Sequence, residues 1–196
     1  MTPVQTAGET RTRILTEAER LFRHFGYAKT TVADIAQACR MSSANVYRFF
    51  ASKSQINEAI CDRIISELEV QLRRIVSENA PASVRLTKFI ELVARYVAET
   101  SVQDKKVHDM VVVAMEEQWA SIHRHLQATT AMIADIIASG IASGEFRPQD
   151  PYRAAKCVHS SLAGLKHPVV VAQCRNEPDM ASPAEMAAFI LAALKA

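Results

Sequence analysis

The stretch SSANVYRFFASK, Ser42 to Lys53, crowds aromatic, basic and small polar side chains into twelve residues. At roughly 100° per residue, a helix over Ser43–Phe50 puts Val46, Phe49 and Phe50 on one side. Ala44 and Arg48 fall opposite, flanked by Asn45 and Tyr47. The outer set has the chemistry to read DNA. An arginine fork matches guanine O6 and N7, and an asparagine amide matches adenine or a phosphate. A small residue such as Ala44 admits the helix to the base edges or to a thymine methyl. Tyr47, Ser42 and Ser43 offer hydroxyls to phosphate oxygens. Thr31 stands at the start of the preceding helix, where unpaired N–H groups favour a phosphate. Lys53 stands at the start of the following helix, within reach of the backbone. The same residues could instead form an ordinary solvated helix face.

Other chemistry finds little support. There is no G-x-S-x-G, no P-loop and no Rossmann glycine pattern, so no enzyme is expected. Glu116 and Glu117 are adjacent and diverge on a helix, which suits a solvated rim. His123 and His125 are two apart and point about 160° from each other on a helix. His108, His159 and His167 have no Cys or carboxylate nearby at ligand spacing. No metal and no other cofactor is expected. The four cysteines show no C-x-x-C spacing. With no apolar export segment at the start, they are read as reduced, mostly buried thiols of a cytoplasmic protein. Phe89, Tyr96, Met110, Met115, Trp119 and Met132 are of the types that line adaptable apolar pockets for a small apolar or aromatic ligand. At helical spacing they equally suit a plain core.

The elements that must position these residues are helices. Hydrophobic residues make up 49% of the 196, with only 5 Gly and 7 Pro. That favours an all-α fold over a sandwich or barrel. No window approaches the roughly 18 apolar residues of a membrane span. Residues 1–57 hold eight Lys/Arg against four Asp/Glu, while 58–196 hold fifteen against seventeen. A basic N-terminal quarter on a slightly acidic body suits an anionic partner at one end.

Ile14, Leu15, Ala18, Leu21, Phe22 and Phe25 form one helical stripe that Gly26 stops. Val32, Ile35, Ala36 and Cys39 form a second, short one, capped by Thr30 or Thr31. Ser42 caps the third helix, and Ser52 with Gln55 makes a capping box for a long fourth one. The fourth carries a stripe through Ile56, Ile60, Ile64, Leu68, Leu72 and Ile75. Leu86, Phe89, Ile90, Val93 and Val97 mark a fifth, followed by a break at VQDKK. An apolar helix then spans about 107–119 and another 121–143. Asp150-Pro151 starts one that runs to about Cys174 with a kink at Pro168, and a last helix covers 183–195. The total is about nine helices. Two short helices joined by a tight turn, packed on a preceding helix, form a helix-turn-helix unit whose second helix fits the major groove.

The stretch ILTEAERLFRHFGYAKTTVADIAQACRMSSANVYRFFASKSQINEAI resembles the N-terminal domain of TetR-type (tetracycline-repressor-like) transcriptional regulators. The matching features are A-x-x-L-F-x-x-x-G-Y, then T-T-V-x-D-I-A, then S-x-x-x-V-Y-x-F-F-x-S-K, in order and at the family's spacing. They cover about 50 of the 196 residues. Beyond them only length and helical character agree. The resemblance implies a DNA-binding domain over 1–53 and a ligand-binding and dimerisation domain over 54–196. It implies a homodimer on a palindromic operator of double-stranded DNA, released by a small molecule. Thr31, Ser43, Asn45, Tyr47, Arg48 and Lys53 would be DNA contacts by motif position. The family's turn usually carries Gly where this chain has Arg40. Either Arg40 accepts a strained positive φ while gaining a phosphate contact, or the turn differs. Small-residue faces over Ser160–Pro168 and Ala184–Leu194, in the last two helices, suit pairing with a second copy. An architectural or partner-recruiting DNA-binding protein with no small-molecule ligand is the alternative.

Overall fold

The structure is a computed structural model that describes residues 6–99, 105–117, 119–174, 177 and 179–195. Among these residues there are eleven helices and no strand. They are α1 (Ala7–Phe25), α2 (Val32–Ala38), α3 (Ser43–Tyr47), α4 (Lys53–Val76), α5 (Ala82–Val97) and α6 (Lys105–Glu116). There follow α7 (Ala120–Ala142), α8 (Pro151–Ser161), α9 (Ala163–Lys166), α10 (Pro168–Cys174) and α11 (Pro183–Leu194). The break expected at VQDKK lies, over 102–104, outside the described residues. None of the described helices is long and apolar enough to cross a membrane.

The excess over nine helices comes from one span. The helix expected over 151–174 is three, not one kinked helix. Leu162, at φ −79° and ψ 3°, ends α8, and His167, at ψ 113°, is extended. Pro168 has no N–H to donate, and its ring drives the preceding residue out of the helical region, so the chain breaks where a kink was expected. The third helix is also shorter than its pattern. It ends at Tyr47, and the amides of Phe49 and Phe50 both turn back to the Val46 carbonyl, at 2.9 and 3.1 Å.

The chain forms two compact units, Met1–Ile64 with Asp104–Ser121, and Ile65–Gln103 with Ile122–Ala196. In the first unit, α1 lays its stripe against α2 and α6. Ile14, Ala18 and Phe22 are fully buried. Phe25 departs from the stripe at 55% exposure, because it is the last residue of its helix and Gly26 turns the chain away at φ 91°. Val107, Met110 and Ala114 give α6 a fully buried edge, while Val111 to Val113 are only half-buried. Asn57 on α4, itself fully buried, donates to the Met110 carbonyl at 3.3 Å. Glu117 accepts from Ser54 Oγ and from Trp119 Nε1, each at 2.8 Å.

In the second unit, the apolar stripes of α4 and α5 pack with Ile133, Ile136 and Ile137 of α7 and with the buried edges of α8 and α11. Pro81 cannot cap α5 with its side chain. Glu145 does so from 62 residues away, accepting from the amides of Ala82 at 2.8 Å and Ser83 at 3.0 Å. Gly140 lets the Phe146 ring lie directly against α7, where a Cβ would come within 2.3 Å of it.

Candidate DNA-binding interface and a buried polar cluster

Local chemistry fixes the helix-turn-helix geometry. The Thr31 hydroxyl accepts from the Asp34 amide at 3.2 Å and donates to Asp34 Oδ2 at 2.7 Å, while the Thr31 amide reaches the same carboxylate at 2.8 Å. These bonds hold the Asp34 carboxyl below the usual carboxylate range. Thr31 is exposed, but its hydroxyl and amide serve this cap. After α2 the chain turns at Arg40, whose φ is +53°. Of the two arrangements open to Arg40, the structure has the strained one, at a cost of order 1 kcal/mol. The Met41 amide closes the turn onto the Ala36 carbonyl at 2.9 Å. Ser42 then caps α3 by accepting from the Asn45 amide at 3.2 Å.

Five residues cannot hold a helix unaided. Val46, at 0% exposure, and Phe50, at 3%, anchor α3 to the core, and Phe49 is half-buried. The opposite face is presented to solvent. Ser42, Ala44, Tyr47 and Arg48 are exposed, and Ser43 and Asn45 are half-buried. The Asn45 amide approaches Met41 Sδ at 3.7 Å. Lys53 turns back toward the loop before α2. Its ammonium donates to the carbonyls of Tyr27 at 2.9 Å, Thr30 at 3.0 Å and Ala28 at 3.5 Å, and sits 4.3 Å from the Tyr27 ring centre. Burial holds its pKa below the ordinary lysine value. No sequence signal announces this role, since the partners are backbone carbonyls more than twenty residues back.

The six residues chosen as ligand candidates divide between the two units. Phe89 and Met132 share the core of the second, and the half-buried Tyr96 packs against it. Met110, Met115 and Trp119 belong to the first unit. Met110 is fully buried there and Trp119 nearly so, while Met115 is half-buried.

A polar cluster in the second unit escaped the local spacing rules because four helices build it. His125 Nδ1 lies 3.1 Å from Glu69 Oε1, and Glu69 also takes Arg73 at 2.5 Å. His159 Nδ1 lies 3.2 Å from Thr130 Oγ1, and His159 Nε2 contacts Lys166 Nζ. Burial, with the neighbouring Lys166 charge, pushes the His159 pKa down to about 4, and burial brings Lys166 down to about 8. Burial also lowers His125, against the pull of Glu69. No group of three potential metal ligands occurs among the described residues. All four cysteines are free thiols.

A short helix anchored by one face and offering the other, after a tight turn from a capped helix, defines a helix-turn-helix DNA-binding protein. Residues 14–60 match the family described as Bacterial regulatory proteins, tetR family, and residues 82–186 match Tetracyclin repressor-like, C-terminal domain. The chain belongs to the TetR family of DNA-binding transcriptional regulators, which are not enzymes. It is 29% identical over 172 residues to the HTH-type transcriptional regulator TtgR of Pseudomonas putida, covering 82% of this chain and 80% of that one. The fold is similar to a TetR/AcrR-family regulator from Thermobifida fusca, with a TM-score of 0.70 at 20% identity over 93% of this chain and 94% of the other. It is also similar to SmeT in complex with triclosan, with a TM-score of 0.64 at 20% identity over 95% and 92%. SmeT is the repressor of the Stenotrophomonas maltophilia multidrug efflux pump SmeDEF.

Proposed function

We propose that this regulator is a cytoplasmic homodimeric repressor that binds a palindromic operator and is released by a small apolar or aromatic molecule. The observation that carries the DNA part is the exposed face of α3, with Ala44, Tyr47 and Arg48 outward and Val46 and Phe50 buried behind them. Ala44 brings the helix close, Arg48 forks onto guanine, and Asn45 takes adenine or a phosphate. Tyr47, Ser42 and Ser43 meet phosphates. Thr31 and Lys53 support the interface from behind, Thr31 as the cap of α2 and Lys53 as the clasp of the loop before it. The functional division falls near residue 53, with 1–53 as the DNA-binding head and 54–196 as the ligand-binding and dimerisation body.

Pairing through the end of the chain is supported by α11, which exposes Ala184, Ala188, Phe189 and Ala192, with Phe189 at 69%. Ser160, Ser161 and Ala163 at the end of α8 and start of α9 are also exposed small residues. A large apolar side chain amid alanines fits a helix of a second copy. Phe89, Tyr96 and Met132 support an apolar ligand site in the body, and the triclosan complex of SmeT shows an aromatic ligand on a similar fold. The ligand acts by binding better to the arrangement in which the two α3 helices no longer match successive major grooves. Because α4 directly follows the recognition helix in the chain, it is the element that carries this shift.

Selection of bound duplexes from a random pool tests the reading, with the wild type beside Arg48→Ala. A palindromic site that loses its preference at one symmetric position in the variant is the expected result. Unchanged preference at every position would remove Arg48 from the groove. No enrichment at low salt, with protein freed of bound small molecules, would overturn the operator-binding reading.

A further inference from the structure

We infer that the body recognises an acidic amphiphile, an apolar molecule bearing a carboxylate-type anionic group, with Lys166 as the counter-charge and His159 as the group that positions it. The inference rests on the proposal that this body binds a small molecule, and it names the chemistry of that molecule.

The hydrogen bonds of the cluster have one consistent direction. The Thr130 hydroxyl donates to the Leu126 carbonyl at 2.7 Å, so its oxygen is left to accept from His159 Nδ1 at 3.2 Å. His159 is neutral at physiological pH and has a single N–H, which is therefore on Nδ1. Its Nε2 must accept, and the donor in contact with it is the Lys166 ammonium. The tautomer of His159 thus holds Lys166 in one place, as a second group fixes the orientation of a ligating imidazole.

Lys166 is left with unused donors and an uncompensated charge. An ammonium has three N–H groups, and the His159 nitrogen takes one. Glu69, the carboxylate of the cluster, is already shared between Arg73 and His125. Lys166 has no carboxylate partner among the described residues. A half-buried cation without an anion is unfavourable, and an incoming anion relieves it. The surroundings supply the apolar half of the site. Lys166 ends α9, α9 packs on α5, and α5 carries Phe89 and the half-buried Tyr96. Ile133, buried in the same core, stands three residues beyond Thr130 on the same face of α7.

Two fluorescent probes with nearly the same apolar body separate the charge from the rest. One is 1-anilinonaphthalene-8-sulfonate, which is anionic; the other is N-phenyl-1-naphthylamine, which is neutral. With the full chain at pH 7, the anionic probe is expected to bind about ten-fold tighter or more. Lys166→Met is expected to bring the anionic probe to the affinity of the neutral one and leave the neutral one unchanged. Lys166→Arg is expected to retain the preference. Equal binding of the two probes to the wild type, or a preference that survives Lys166→Met, overturns the inference while leaving ligand binding itself standing. Binding of neither probe overturns the underlying reading of the body as an apolar site. Should Lys166→Met fail to fold by circular dichroism, Lys166→Gln replaces it, and the wild-type comparison decides on its own if the preference is absent.

Discussion

Lys53 Nζ lies 2.9 Å from the carbonyl oxygen of Tyr27 and 3.0 Å from that of Thr30. The first residue of α4 thereby clasps both ends of the loop that delivers α2. Thr30 tightens the same loop by donating its hydroxyl to the Gly26 carbonyl at 2.9 Å. A lysine that motif position would assign to the phosphate backbone here directs its ammonium to the loop that precedes the helix-turn-helix.

The two roles separate by salt. A phosphate contact contributes about 0.9 to the slope of log affinity against log salt. Lys53→Met is expected to weaken operator binding and lower the melting temperature while leaving that slope unchanged. A slope smaller by about one would return Lys53 to the phosphate backbone. The measurement is a fluorescence-anisotropy titration at four salt concentrations, on wild type and variant.

Arg40 holds φ at +53°, in the region glycine enters at no steric cost. Arg40→Gly removes strain of order 1 kcal/mol but adds freedom to the unfolded chain that offsets a good part of it. The expected net gain is about 0.5 kcal/mol, read as a higher urea midpoint. If the arginine also meets a phosphate, the more stable variant binds DNA less tightly, with a reduced salt slope. Loss of stability in Arg40→Gly would show that the side chain itself holds the turn.

Much of this architecture is legible in the residues. The α4 stripe is buried from Ile56 to Leu72 and half-buried at its last position, Ile75, and that from Leu86 to Val97 is buried throughout. Thr31 caps α2, Gly26 and Gly144 take positive φ where helices end, and Asp150 caps α8 through the amides of Tyr152 and Arg153. These signals are local, within a turn or two of chain. What was not legible is set by distance. Gln55 completes no box with Ser52, because its side chain accepts from the Ala51 amide instead. Glu145 caps a helix that starts 63 residues earlier. Lys53 binds carbonyls, which carry no residue identity to read. His159 and Lys166 meet because α8 breaks at Leu162, whereas the pattern from Pro151 to Cys174 gives one helix.

The Glu145 cap has a direct consequence for stability. It satisfies two amides at the start of α5 that Pro81 cannot serve. Glu145→Ala is expected to cost about 1 kcal/mol, the usual loss for a side-chain cap. Glu145→Gln keeps an acceptor and should cost less. Hydrogen exchange at Ala82 and Ser83 locates the effect, since both amides should exchange faster in the alanine variant. Exchange there at the wild-type rate would mean that water replaces the cap without loss.

The half-buried His159 gives stability a pH dependence of defined sign. His159 titrates near 4 in the fold, against 6.5 in the unfolded chain, because burial and the Lys166 charge disfavour its cation. Between those values the unfolded state holds a proton that the native state does not. Stability therefore falls as pH drops from about 6.5 to about 4 and levels off below. His125, lowered in the same direction, adds to the same slope. The Glu145 carboxyl, held below its usual range by the Ser83 and Ala82 amides, loses its contribution only at the acid end of this window and beneath it. The His159 ring is partly solvated, so its share at pH 5 is on the order of 1 kcal/mol. His159→Gln is an uncharged stand-in, because its amide oxygen can accept from Lys166 while its nitrogen donates to Thr130. Urea midpoints at pH 7 and pH 5 are expected to differ less in this variant than in the wild type. An identical drop in both would mean that His159 takes its proton in the fold as readily as in the unfolded chain, and that the Lys166 ammonium does not press on its ring.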